Sequence, residues 1–423
     1  MNVTISPGPV SGTCQAIPSK SAAHRLLICA AQARTPTTVV CSGTSQDITA
    51  TLRCLTGLGA EISGQEEGYL VHPIPRPLGE KPCLLPCGES GSTLRFLLPV
   101  AGALGASAVF PMEGRLGQRP MGPLEEALTQ GGCTIKRTAG GKQLAIQGQL
   151  RPGDYTLPGD VSSQFISGLL FALPLLPGES RLHVQGPLES AGYIDLTLDA
   201  LKTFGVRPVP TQDGWIIAPG GYTSPGTVTV EGDWSNAAPW LCMGALGGSG
   251  VTVTGVEKAS LQGDRGIAQV LARMGAQVDW KEKAIRTAPG TGQPTEIDAR
   301  DIPDLVPVLA AAAAGLPGVT RITGAARLRL KESDRLETTA RTLNALGGQV
   351  EQREDGLVIT GGHSLTGGTV DAAGDHRIVM AAAVASVLCQ GQVTVTGAQA
   401  VDKSYPAFWD HLEAMGKTVT RQP

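Results

Sequence analysis

The chain is poor in aromatic residues, at 4%, and it has no CxxC pair, no long apolar run and no excess of either charge. Each shortage removes a class of protein. Its nine cysteines, at 14, 29, 41, 54, 83, 87, 133, 242 and 389, are odd in number and scattered, which argues against a disulfide framework and against a cysteine zinc site. Six dispersed histidines offer no metal cluster, so neither a metal nor a cofactor is expected. The least polar windows, 165–177 and 305–317, are broken by Pro or rich in Ala and are too brief to cross a bilayer. The 34 basic residues nearly balance the 37 acidic ones, which removes any general attraction to nucleic acid or anionic lipid. The opening MNVTISPGPV lacks a basic region followed by an apolar stretch, so no signal peptide is expected. Together these absences predict a cytoplasmic protein with no nucleic-acid or membrane partner. Neither a Walker A nor a Rossmann fingerprint is present.

What the chain does contain is glycine, 56 residues, and proline, 30, the composition of frequent chain reversals. The glycines are ordered. Gly59, Gly131, Gly205, Gly275, Gly347 and Gly416 each follow an apolar-periodic stretch and precede a β-branched one, as in LTGLGAEI, LARMGAQV and LEAMGKTV. A helix C-terminus favours a left-handed residue at that point. The spacing of about 70 residues predicts six modules, each roughly β-α-β-α-β-β, grouped three and three. The Gly- and Pro-rich stretch around 220–230 reads as the linker between the groups.

The first helix of each module is expected to begin near Ser21, Ser90, Ser163, Ser235, Asp304 and Asp375. Small polar residues there would cap exposed backbone N–H groups. Basic residues are out of place at such starts, because a helix N-terminus carries partial positive charge. Lys20, Arg25, His376 and Arg377 nevertheless stand there, and Arg119, Lys403 and the KESDRL run at 331–336 stand near the second helices. Read as helix, that run aligns Lys331 with Arg335, a like-charge pair that an intervening anion would relieve. Plain alternatives remain at each position: a solvated cation, an N-cap role for Asp304, a structural His24. Recurrence across modules favours instead one electropositive cleft suited to phosphate or carboxylate.

Taken in order, SKSAAHR, GESGSTLR, QRPM, SSQF, ESAGYID, IPD, KESDR, DHR and the Lys403 segment resemble the family of 5-enolpyruvylshikimate-3-phosphate (EPSP) synthases, enolpyruvyl transferases of the shikimate pathway. The resemblance spans nearly the whole chain. It implies an α/β (α+β) fold, a two-domain inside-out α/β barrel of six βαβαββ repeats with its active site in the interdomain cleft. The N-terminal domain would be 18–226 and the C-terminal domain 1–17 plus 227–423, with hinge crossovers near 18 and 227. A monomer acting on two small molecules is implied, shikimate 3-phosphate and phosphoenolpyruvate.

By the same resemblance, shikimate 3-phosphate would be held by Lys20, Ser21, Arg25, Ser162, Ser163, Gln164, Ser190, Tyr193, Asp304 and Lys331. Phosphoenolpyruvate would be held by Lys20, Gly91, Arg119, Gln164, Arg335, His376, Arg377 and Lys403. The reaction needs one base and one acid; Asp304 would be the base, Glu332 the proton donor, and Lys20 an assistant. Pro18, Glu89 and Arg327 stand where family members often carry other residues, and Glu89 would place an extra carboxylate near an anion site. Two rivals share part of this pattern: an enolpyruvyl transferase acting on UDP-N-acetylglucosamine, and a non-catalytic anion-binding repeat protein. Arg25 and KESDR favour the shikimate substrate over the first. The second would not require Asp304 and Glu332.

Overall fold

Helices that close on glycine fix where each module turns, and the computed structural model, which describes residues 1–79 and 81–422, has two helices per module, of which the second closes on glycine. Among the described residues they are α1 (Lys20–Gln32), α2 (Gln46–Gly57), α3 (Gly91–Ala103), α4 (Gly122–Gln130), α5 (Ser163–Ala172), α6 (Ala191–Thr203), α7 (Trp234–Leu246), α8 (Ile267–Arg273), α9 (Val306–Ala313), α10 (Arg335–Ala345), α11 (His376–Ala385) and α12 (Phe408–Ala414). Five of the six expected glycines follow their helix with positive φ, between 78° at Gly205 and 103° at Gly59. The second module differs. Gly131 keeps a helical φ of −72°, and its neighbour Gly132 takes the left-handed turn at φ 108°, because the GG pair lets α4 run one residue further.

Each module builds one four-stranded sheet. In the second, third and fifth modules all four strands come from one continuous stretch, as in Asp154–Pro158, Ser180–Gln185, Val209–Pro210 and Gly214–Ile217. There the first two strands are parallel and the last two antiparallel, so the β-α-β-α-β-β order holds. The other three sheets take a strand from elsewhere. Thr227–Thr229 lies parallel to Thr37–Val40 in the first module, and Gly12–Gln15 lies parallel to Val251–Thr254 in the fourth. Asn2–Ile5 completes the sixth, antiparallel to both Val393–Thr396 and Val419–Gln422.

These exchanges divide the chain into two compact lobes, Lys20–Val230 and Met1–Ser19 with Glu231–Pro423. The first lobe therefore runs to Val230, four residues past the expected boundary at 226. Residues 227–229 stay with the first lobe, because Thr227–Thr229 is a strand of its sheet. The preceding stretch is not a loose linker either: Tyr222 is 1% exposed and its hydroxyl donates to the Phe171 carbonyl at 2.7 Å.

Each lobe has its own apolar core, and the first helix of each module lies inside it. All eight residues of α9 and all ten of α11 are buried, whereas α4 buries only Leu124, Ala127 and Leu128. A helix apolar all round belongs in an interior, and one with a single apolar stripe belongs on a surface. Small residues let the inner helices approach closely. A side chain at Gly168 of α5 would meet the Arg95 carbonyl of α3 at 2.2 Å, so glycine is required where these two helices touch. That contact brings the starts of α3 and α5 together.

Candidate active site

In the Lys20–Val230 lobe, the expected ligands gather at the starts of the inner helices. Lys20 opens α1 and its Nζ lies 2.9 Å from Asp47 Oδ2 in the first turn of α2. Arg25, one turn on, is 2% exposed. Its Nε donates to Thr197 Oγ1 at 2.8 Å, Nη1 to the Ser21 carbonyl at 2.7 Å and Nη2 to the Tyr193 carbonyl at 2.7 Å, tying α1 to α6. Burial pulls its guanidinium down to about 10, partly offset by Tyr193 and Cys29, so it keeps its charge at neutral pH. Three of the five N–H groups of this arginine thus serve the scaffold.

Ser162 caps α5, accepting from the Gln164 backbone N–H at 3.3 Å, which is the plain capping role. Gln164 is held at both ends of its amide: Arg95 Nη1 donates to Oε1 at 2.8 Å, and Nε2 donates to Ser92 Oγ at 2.8 Å. A Cβ at Gly91 would lie 2.8 Å from Arg119 Nη1, so any side chain there would displace the guanidinium. The Arg119 guanidinium therefore lies across the bare start of α3, where backbone N–H groups and a cation face the same volume. Ser190, just before α6, has φ 57° and ψ 43°. A left-handed serine costs free energy, and such strain concentrates at functional sites.

The neutral form is the one His24 adopts. It is 1% exposed, Nδ1 lies 2.7 Å from Thr51 Oγ1, and burial drives its imidazole down to about 3, with Asp47 working against that shift and Lys20 and Arg25 adding to it. His24 therefore packs the α1 start as an uncharged ring.

In the other lobe one buried arginine organises the site. Arg335 is 2% exposed and is bonded to three carboxylates: Nη1 to Asp304 Oδ1 at 2.8 Å, Nη2 to Glu332 Oε2 at 2.8 Å and Nε to Asp375 Oδ2 at 2.8 Å, with a further bond from Nη2 to Asp375 Oδ1 at 3.3 Å. Burial works against its charge, but Asp375, Glu332 and Asp304 hold its guanidinium well above the ordinary arginine value. Lys331 Nζ lies 3.7 Å from Asp304 Oδ1, Arg377 Nη2 3.9 Å from Asp304 Oδ2, and Lys403 Nζ 3.6 Å from Glu332 Oε1. His376 Nδ1 is 3.6 Å from Asp375 Oδ1. Four fixed cations thus meet three carboxylates within one lobe.

Two local expectations fail here, for identifiable reasons. The KESDRL run is not helical through Lys331. Asp334 caps α10, accepting from the Glu337 N–H at 3.1 Å, so the helix starts only at Arg335 and Lys331 is extended at φ −91° and ψ −157°. The two cations still converge, and what lies between them is the protein's own Asp304. Nor is Asp304 a helix cap. It sits inside the 3-10 turn Pro303–Leu305 ahead of α9, where the cap positions fall on Ile302 and Leu305 instead. Burial raises the Asp304 carboxyl, and Lys331, Arg335 and Arg377 together overcome that and hold it well below the usual carboxylate range. Its side chain remains 24% exposed against 11% for Glu332, so it is the more open of the two.

The profile of the family described as EPSP synthase (3-phosphoshikimate 1-carboxyvinyltransferase) matches residues 5–412. The chain belongs to the EPSP synthase family. It is 41% identical over 415 residues to the 3-phosphoshikimate 1-carboxyvinyltransferase of Clostridium kluyveri, covering 98% of this chain and 97% of that protein. The protein of the same name from Clostridium acetobutylicum is 39% identical, with 99% and 98% covered. The solved EPSP synthase of Acinetobacter baumannii superposes with a TM-score of 0.83 at 26% identity, covering 99% of this chain and all of that one. The enolpyruvyl transferase NikO of Streptomyces tendae shares the fold, with a TM-score of 0.80 at 20% identity.

Within this EPSP synthase frame the three unusual positions have local explanations. The Glu89 carboxyl turns onto Gly114, where a side chain would overlap its Oε1 at 1.8 Å. Arg327 donates to the Arg300 carbonyl at 2.9 Å. Pro18 forms an antiparallel bridge with Gly232, so its rigid φ suits an extended crossing. Sequence reasoning missed three charged residues that hold expected ligands, Asp47 on Lys20, Arg95 on Gln164 and Asp375 on Arg335, and a fourth, Asp264, which accepts from the hydroxyl of Ser235 at a helix start where no ligand was expected. Each lies within a few residues of a helix start that carries a cation or a hydroxyl. The fourth module also contributes, because the Ser235 carbonyl accepts from Arg377 Nη1 at 2.8 Å.

Proposed function

We propose that this protein transfers the enolpyruvyl group of phosphoenolpyruvate to the 5-hydroxyl of shikimate 3-phosphate, giving 5-enolpyruvylshikimate 3-phosphate and phosphate. The single observation that carries the reading is the Arg335 hub. It bonds at once to a carboxylate held ionised among cations, Asp304, and to a second, more buried one, Glu332. Full-length relatives named for this activity support it. A non-catalytic anion binder would need the cations alone.

In this reading Asp304 accepts the proton of the 5-hydroxyl as that oxygen bonds to C2 of phosphoenolpyruvate, while Glu332 delivers a proton to C3. The tetrahedral intermediate collapses when C3 returns a proton to Glu332 and phosphate leaves with the proton held by Asp304. A carboxylate surrounded by three cations is a weak base. Anionic substrates bound to Lys331 and Arg377 would neutralise that field and raise Asp304 toward a useful range, so the base is activated by the substrates it serves. Lys403, Arg377, Lys20 and Arg119 would stabilise the departing phosphate. Ser21, Arg25, Ser162, Ser163, Gln164, Ser190 and Tyr193 would seat the sugar phosphate with Lys331, and Gly91, His376 and Arg335 would complete the phosphoenolpyruvate set.

The finer architecture proposed is an inside-out α/β barrel in two halves, supported by inner helices that are buried and by sheets that carry the exposed second helices. The protein is taken as a cytoplasmic monomer on small molecules. Nine free and mostly buried thiols fit a reducing compartment. The roles of the two acids are tested by Asp304→Asn and Glu332→Gln, measuring turnover and, by calorimetry, shikimate 3-phosphate binding. Turnover should fall by about 100-fold or more in each while binding persists. Unchanged turnover in both variants with binding intact would contradict the assignment.

A further inference from the structure

Arg377 is aimed by its neighbours. It is 3% exposed, Nη1 donates to the Ser235 carbonyl at 2.8 Å, and Nη2 lies 3.9 Å from Asp304 Oδ2. Its Nε is buried without a hydrogen-bond partner. The guanidinium is thus oriented chiefly through Ser235, a residue in the first turn of α7.

Ser235 is itself gripped from the opposite side. Its hydroxyl donates to Oδ2 of Asp264, which is 2% exposed in the 3-10 turn Gly263–Gly266. Asp233 caps the same helix start, accepting from the Asn236 N–H at 2.7 Å. The Asp264–Ser235–Arg377–Asp304 chain therefore runs from the fourth module to the proposed base, and Asp264 is a buried acid that the reaction as written leaves unused.

We propose that Asp264 is a positioning residue for enolpyruvyl transfer: by holding Ser235 it fixes the start of α7 and, through the Ser235 carbonyl, the direction in which Arg377 meets phosphoenolpyruvate. This rests on the function proposed above. The charged groups facing Asp264 are Asp304, Arg377 and Asp233. Burial first, then the nearby Asp304, push its carboxyl up to about 7, with Ser235 and Arg377 opposing and Asp233 adding slightly. Below that pH Asp264 is neutral. Above it, Asp264 becomes an anion within reach of Arg377 and competes with an anionic substrate for that cation.

The test measures KM for phosphoenolpyruvate and kcat at saturating shikimate 3-phosphate, from about pH 6 to about pH 9, in wild type, Asp264→Ala and Asp264→Asn, with a thermal melt of each. Asp264→Ala should raise KM about fivefold or more with a smaller change in kcat. Wild-type KM should rise through neutrality, and Asp264→Asn, which keeps the shape without the charge, should lose that rise. A KM within about twofold of wild type in a folded Asp264→Ala, or the same pH course in wild type and Asp264→Asn, overturns the proposal. If Asp264→Ala does not fold, the pH comparison with Asp264→Asn decides. Absence of wild-type turnover would instead refute the function on which the proposal rests.

Discussion

Acidifying the solution from pH 7 to pH 5 should weaken the Lys20–Val230 lobe through His24. The ring is fully buried, its Nδ1 is bonded to Thr51, and burial drives it down to about 3 from an ordinary value of 6.5. Between those two values the unfolded chain binds a proton that the folded chain does not. Stability therefore rises with pH through this window, is complete above the unfolded value and is lost as pH falls below it. At pH 5 the unfolded imidazole is mostly charged and the folded one mostly neutral, and the difference amounts to about 2 kcal/mol. Other groups titrate in the same range, so the quantity to measure is the difference between wild type and His24→Gln at each pH. Hydrogen exchange of α1 peptides in graded urea reads that lobe alone, and comparing the two proteins at one pH cancels intrinsic exchange rates. His24→Gln should be the less stable protein at pH 7, by a margin that shrinks by about 2 kcal/mol at pH 5. A margin independent of pH would refute the claim that the folded ring stays neutral.

Two further changes probe the site's construction. Arg335→Met removes the one cation bonded to Asp304, Glu332 and Asp375. It should cost about 3–5 kcal/mol, the price of leaving buried charge unpaired, and Arg335→Lys should not restore activity because an ammonium cannot fork to three carboxylates; urea unfolding of both variants checks this. Ser190→Gly relieves a left-handed backbone at φ 57° and should stabilise by up to about 1 kcal/mol, while weakening shikimate 3-phosphate binding, as calorimetry would detect.

The parts of the molecule legible in the sequence were those set by local rules. Glycine at a helix end, β-branched strands after it and a constant spacing are local, and they marked all six modules. What they could not convey was which strand completes which sheet. Thr227–Thr229, Gly12–Gln15 and Asn2–Ile5 pair with residues far along the chain, and strands of three or four residues carry no label for a distant partner. The site divided in the same way. Cations such as Lys20, Arg119, Arg335 and Arg377 stood out because they conflict with helix-start electrostatics. Asp47 and Asp375, which pair with Lys20 and Arg335, did not, because an acid at a helix start is ordinary. Asp375 looked like a cap and is one, accepting from the Arg377 N–H at 2.9 Å, yet it also carries the deepest bond of the Arg335 hub. Asp304 shows the reverse case: the residue type fitted a cap, and tertiary charge drew it elsewhere.

The central claim is the identity of the two substrates, and inorganic phosphate release tests it most directly. Purified protein given shikimate 3-phosphate and phosphoenolpyruvate should liberate phosphate in step with 5-enolpyruvylshikimate 3-phosphate, and should liberate none when UDP-N-acetylglucosamine replaces the shikimate ester. Release with the nucleotide sugar alone, or with neither acceptor, would contradict the account.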